Sequence, residues 1–231
     1  MSAFFDYPNS AAFGRVVPKS KIYEHAGANA ALKDLFVREV DQITWRYKLA
    51  PETINLNATA SVPEIQVFSI SLKSGKLDEA VLRAIDKAIP FPLVFELIWS
   101  GKCKVVAALK KPSEQVGMKW SSSGYFATDW IPEKVIRVPL PLALDLGVLY
   151  ERILMAILPS EIFVHKAAGL DIGAYLRLIE AVRSKAREIE QIKLRINRER
   201  QFNKRVAINA ELRQAKYELQ SMLDDQVGME N

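Results

Sequence analysis

From Ile172 to Leu223 the sequence holds no proline, and no glycine after Gly173. Nothing in that stretch interrupts a helix, and about 50 residues in one helix would reach about 75 Å. Ile189, Ile192 and Ile196 are spaced as a helical seam, and so are Ile208, Leu212, Ala215, Leu219 and Met222. Such narrow apolar stripes are the mark of helices that pack along their length. The step from Ile196 to Ile208 does not continue the seam in phase, and the intervening RERQFNKR is polar apart from Phe202. Two geometries fit: one long helix whose seam shifts at a stutter, or a helical hairpin turning near Phe202–Lys204. The lack of glycine or proline at the junction favours the long helix. A narrow seam stabilises no helix in isolation, so it requires a partner helix from a second copy, another protein or this chain's own helix at 142–158. Ile189, Ile192, Ile196, Ile208, Leu212 and Leu219 are the candidate partner-binding residues.

The same segment carries the charge. The 231 residues have a formal net charge of +5. Between Arg183 and Tyr217 there are eleven Lys and Arg against four acids, which leaves 21 basic and 23 acidic residues elsewhere. The body is near neutral and the segment is a basic stripe, which suits a polyanion or an acidic protein face. Arg183, Lys185, Arg187, Arg195, Arg198, Arg200, Lys204 and Arg205 are the candidate nucleic-acid contacts. The competing reading is a solvated helix face, with pairs such as Arg195 and Glu199 at i,i+4.

Ahead of this arm, apolar residues at 49% and charged residues at 26% exclude wholesale disorder. The expected organisation is an α+β (mixed α/β) body over 1–168, with a single mixed sheet flanked by helices, and a helical arm over 169–231. Residues 1–28 read as irregular, with PKSKIYE (18–24) as a basic turn that could enter a strand. Leu32, Phe36, Val40, Ile43 and Tyr47 follow a helical period, which predicts a helix over 30–48 with Asn29 as its cap. Alternation predicts strands near 53–57 and 64–73. A short helix over 77–88, capped by Asp78 or Ser74, follows. LVFELIW (93–99) reads as a strand buried on both faces, and Ser100-Gly101-Lys102 as the turn into an antiparallel CKVVAALK. Residues 111–123 read as a polar loop, 124–131 and 134–138 as strands, and 142–158 as a helix.

No reaction is legible. One cysteine and two histidines give neither a disulfide framework nor a zinc site. Cys103 reads as a small buried hydrophobe, and His25 and His165 as loop residues. There is no GxxxxGK[ST], GxGxxG or GxSxG, and no cofactor is expected. The KSGK turn at 73–76 is a weak candidate for meeting a phosphate. The element order suits a metal-dependent nuclease core with Lys73 as the orienting lysine. Ser71, Asn55 and Asn57 stand where its metal-holding acids belong, leaving Glu64 as a strand-start residue and Glu96 as a paired polar group. Trp45, Trp99, Trp120 and Trp130 are scattered, which suits core or rim packing better than a base-stacking platform. MSAFFDYPNS lacks a basic start and a long apolar run, and no stretch of 18 apolar residues occurs. A chain without signal peptide or membrane span, working in the cytoplasm, is expected.

PKSKIYE (18–24), LKDLFVREVDQITWRYKLAPETINL (32–56), EIQVFSISLK (64–73), IDKAIPFPLVFEL (85–97) and LYERILMAIL (149–158) together resemble a bacterial family known as domain of unknown function 4391. The run xITWxYKLxPxTxNL followed by EIQVF is its most specific part. The resemblance implies no catalytic residue. It implies a role beside DNA-acting enzymes, since members resemble accessory genes placed next to helicases and DNA methyltransferases in restriction-like or anti-phage islands. The expectation is a non-enzymatic accessory subunit with a helicase, ATPase or DNA methyltransferase as partner. The alternatives are a divergent Mg-dependent nuclease and a coiled-coil homodimer without nucleic acid.

Overall fold

The structure, a computed structural model, describes residues 3–112, 120–122, 124–158 and 172–224. The chain divides into two compact units, Met1–Leu158 and Pro159–Asn231. The expected boundary at 168/169 lies outside the described residues. In the first unit, β1 (Phe5–Asp6), a 3-10 turn (Asn9–Ala11) and β2 (Ala12–Val16) lead to α1 (Lys19–Ala26) and α2 (Ala30–Glu39). Then come β3 (Val40–Leu49), the single turn α3 (Pro51–Ile54), β4 (Ile65–Leu72), α4 (Glu79–Ala88), β5 (Leu93–Trp99) and β6 (Lys102–Ala107). Short strands β7 (Lys110–Pro112), β8 (Trp120–Ser122), β9 (Phe126–Ala127), β10 (Ile131–Pro132) and β11 (Val138–Pro139) precede α5 (Leu146–Ile157).

Several expectations give way to tertiary context. The helix predicted over 30–48 ends at Glu39 and passes without a loop into β3. Ile43 and Tyr47 fit a helical period, but Ile43, Trp45 and Tyr47 also alternate, and β-branched and aromatic residues suit the pleat of a strand paired on both sides. PKSKIYE enters helix α1, which buries Ile22 and Ala26 and ends at Gly27 with φ +65°. The strand expected near 53–57 is instead α3, where Thr53 Oγ1 accepts from the Ala50 amide at 2.9 Å and Asn55 takes φ +52°. The polar loop contains the β7–β8 hairpin. Of the strands expected over 124–131 and 134–138, only β9, β10 and β11 form. The caps Asn29 and Asp78 are in place, accepting from Leu32 N and Ala80 N at 2.9 Å.

The main sheet has seven strands in the order β2-β3-β4-β5-β6-β10, with β9 also on β6. It is mixed: β4 and β5 are parallel, joined through α4, and the other pairs are antiparallel. Ser100 and Gly101 both have positive φ, 48° and 71°, the geometry of a tight two-residue hairpin. One sheet face carries Ile43, Phe68, Ile70, Phe95, Leu97 and Val106, packed with Phe36, Val81 and Ile85 from the helices. Alternation therefore turns Val94 and Glu96 of β5 to the opposite face.

In the second unit the basic C-terminal helix is present as two arms, α6 (Ile172–Arg198) and α7 (Phe202–Asp224). The favoured straight helix is not formed. The chain leaves the helix after Arg198, and Ile189, Ile192, Ile208 and Ala215 close into one cluster, with Ile196, Leu212 and Leu219 packed against it. Ile196 and Ile208 lie six residues on either side of position 202, and Ile192 and Leu212 lie ten. The out-of-phase step in the sequence is thus a reflection of the seam about a turn, which lets one apolar stripe cover the other.

Candidate nucleic-acid interface on a basic helical hairpin

The turn between the arms concentrates cations because its residues have no apolar role. Glu199 N donates to Arg195 O at 3.0 Å, Gln201 N to Glu199 Oε1 at 2.9 Å, and Arg205 N to Gln201 O at 3.0 Å. Glu199, the acid of this turn, thereby caps its backbone. Along the arms, three of the cations pair with carboxylates. Lys185 Nζ sits 2.8 Å from both Glu188 and Glu218, Lys193 is 2.6 Å from Glu190, and Arg195 is 3.0 Å from Glu211. Arg195 thus turns to the other arm and not to Glu199 at i,i+4. The carboxylates beside Lys185 raise its pKa, and Lys185 in turn lowers that of Glu218. Arg198, Arg200, Lys204 and Arg205, all exposed, form no ion pair among the described residues.

A recess of about 400 Å³ opens at this tip, lined by Arg195, Arg198, Glu199, Lys204, Ala207 and Ile208. A second, of about 300 Å³, lies further along the arms beside Glu188, Glu211 and Glu218. Positive charge therefore gathers at the end of the hairpin, while along its shaft Lys185 and Lys193 are paired and Arg187, Arg213 and Lys216 stay exposed without an ion pair among the described residues. Of the candidate nucleic-acid contacts, Arg195, Arg198, Arg200, Lys204 and Arg205 come together at the tip. Lys185 is engaged in the shaft, Arg187 is exposed on α6, and the side chain of Arg183 lies outside the described residues. The candidate partner-binding residues are the seam itself: Ile189, Ile192 and Ile208 are buried, while Ile196, Leu212 and Leu219 are half-buried. Reflection of the two runs about position 202 was the signal in the sequence for this arrangement.

Two buried ion pairs in the first unit had no full counterpart in sequence reasoning. Glu96, 1% exposed, receives Arg137 Nη1 at 2.6 Å and Nη2 at 3.1 Å, with Arg46 at 3.8 Å. Its place as a lone acid inside an apolar strand marked it as a paired group, but the partner lies 41 residues away. The hydrogen bonds to Glu96 hold the Arg137 guanidinium well above its usual pKa. Burial raises the buried Tyr7 phenol, with Glu96 adding to the effect. The second pair is Lys110 with Asp86. Lys110 Nζ donates to the carbonyls of Asp86 and Ile89 at 2.6 and 2.5 Å and lies 3.3 Å from Asp86 Oδ1. Tyr125 donates to the other carboxylate oxygen. Burial lowers the Lys110 pKa and raises that of Asp86 against the pull of Lys110. With its donors directed at the C-terminal carbonyls of α4, Lys110 is a clamp.

The sequence candidates for catalysis are dispersed. Lys73 Nζ donates to Val37 O at 2.6 Å. Glu64 hydrogen-bonds Gln66 and pairs with Lys48 at 3.4 Å, just before β4 begins. Cys103 is buried in β6, and His25 lies in the last turn of α1. His165 lies outside the described residues. Among the described residues no three of His, Cys, Asp and Glu gather as metal ligands, and no helix is long and apolar enough to cross a membrane.

Residues 5–219 match the model of a family described as a domain of unknown function, DUF4391. No curated protein and no solved structure matches the chain.

Proposed function

The chain belongs to the DUF4391 family, and from that premise we propose that it is a non-enzymatic accessory subunit of a bacterial DNA-acting complex of restriction-like or anti-phage type. The hairpin is its interaction arm, and the tip contacts DNA phosphates. The single observation that supports this is the set of four exposed cations, Arg198, Arg200, Lys204 and Arg205, gathered at one turn without carboxylate partners among the described residues. Unpaired guanidinium and ammonium groups bind phosphate oxygens with little regard for sequence, and such binding weakens steeply with salt.

The seam serves the same role by holding the arms together. Ile196, Leu212 and Leu219 stay half-buried, and a two-helix hairpin gains stability when a third helix covers such an edge. That third helix belongs to the protein partner, a helicase, ATPase or DNA methyltransferase.

The test is recovery of the tagged full chain from its host at moderate salt, beside a variant with the four tip cations changed to Gln. A DNA-acting enzyme in fixed ratio with both, and DNA with the unaltered chain alone, is the expected result. Recovery of the chain alone and free of DNA would overturn the proposal.

A further inference from the structure

Sequence spacing separates Trp99 from Trp130, yet the sheet brings them together. Trp99 closes β5, and Trp130 stands just before β10, which pairs with β6. Their ring centroids are 6.3 Å apart at 63°. Trp99 keeps 37% of its surface exposed, an unusual state for a tryptophan at the end of a central strand. It is held from behind by the turn after β4, where a Cβ on Gly75 would come within 2.9 Å of the indole. Lysines surround the pair. Lys102 is in register with Trp99, Lys104 Nζ lies 5.8 Å from the Trp130 ring centre, and Lys76 follows Gly75. None of the three forms an ion pair among the described residues. Asp129 and Glu133 are the acids nearby in sequence, and the Glu133 amide donates to Gly101 O at 2.9 Å.

We propose that this corner of the sheet binds single-stranded nucleic acid, stacking a base on the exposed Trp99, which Trp130 supports edge-on from the core side, while Lys76, Lys102 and Lys104 meet the phosphates. A half-exposed indole offers a π-face that every base fits, and unpaired lysines beside it follow the backbone. A duplex hides its base faces, so the corner discriminates against it. The corner belongs to the first unit and shares no residue with the hairpin tip.

The probe is a labelled oligothymidylate of about 15 nucleotides, titrated by anisotropy into the full chain and into the chain with its four tip cations changed to Gln. In both, Trp99→Ala weakens binding about ten-fold, Trp99→Phe retains most of it, and unlabelled duplex competes poorly. Lys76→Gln with Lys102→Gln flattens the log–log salt dependence by about 1.4, at roughly 0.7 per phosphate on a single strand. The lysine variants bury nothing and test the corner even where Trp99→Ala loses stability. Binding that survives tip neutralisation and still depends on Trp99 supports the corner whatever becomes of the hairpin. Binding within two-fold of the unaltered chain in both Trp99→Ala and the lysine pair, or equal competition by duplex, would overturn it.

Discussion

Ile196 on α6 and Ile208 on α7 pack in one cluster from positions six residues before and six after position 202. This symmetry makes the hairpin a self-covering element, and it fixes which residues stand at its end. Arg198, Arg200, Lys204 and Arg205 are at the tip because the seam on each side closes just short of them. Changing Ile192 to Asp sets a carboxylate at a position only 5% exposed, on a recess already lined by Glu188, Glu211 and Glu218, so burial and like charge both oppose the paired arms. The expected result is loss of much of the far-ultraviolet helical signal and new proteolytic cuts within 172–224, with the first unit intact. A variant with the helical signal and cleavage pattern of the unaltered chain would show that the seam does not hold the arms.

The Glu96–Arg137 pair gives a second expectation. Glu96 is fully desolvated and depends on Arg137 for its charge compensation. Arg137→Ala leaves a buried carboxylate with Arg46, at 3.8 Å, as its only cation among the described residues, a loss of about 3 kcal/mol. Adding Glu96→Gln to Arg137→Ala removes the stranded charge and recovers part of that loss. Urea unfolding of the single and double variants measures both values, and a double variant less stable than Arg137→Ala would contradict the account.

Burial beside Glu96 pushes the Cys103 thiol up to about 12, from an ordinary value of 9.0. Because thiolate is the reactive form, Cys103 should resist iodoacetamide at pH 8 in the folded chain and react in urea. Above about pH 9 the unfolded thiol releases its proton while the folded one keeps it. The unfolded state then binds fewer protons, and stability falls as pH climbs toward 12. Cys103→Ala should remove that part of the alkaline decline, which unfolding curves at pH 8 and pH 10 will show.

Much of this fold was legible where local signals agreed. The β5–β6 hairpin, α4 with its Asp78 cap and the body of α5 follow from continuous apolar runs, turn residues and spacing. The errors fall where one pattern serves two states. Ile43 and Tyr47 satisfy both periods, and pairing with β2 and β4 decides for strand. The hairpin turn carries no glycine or proline, so nothing local announced it, and only the reflected seam did. For the candidate sites, charge clustering in the sequence marked the basic segment but not which of its cations would be paired. Lys185 and Glu218 are 33 residues apart, Glu96 and Arg137 41, and Trp99 and Trp130 meet only through sheet order. Such pairs are set by topology, which spacing does not encode.

The central claim is that the hairpin tip binds DNA phosphates, and the salt dependence of duplex binding tests it most directly. Each phosphate contact contributes about −0.9 to the slope of log affinity against log salt. The unaltered chain should show a steep slope, and changing Arg198, Arg200, Lys204 and Arg205 to Gln should flatten it by about 3 to 4. A slope near zero in the unaltered chain, or one that survives the four substitutions unchanged, would contradict the account.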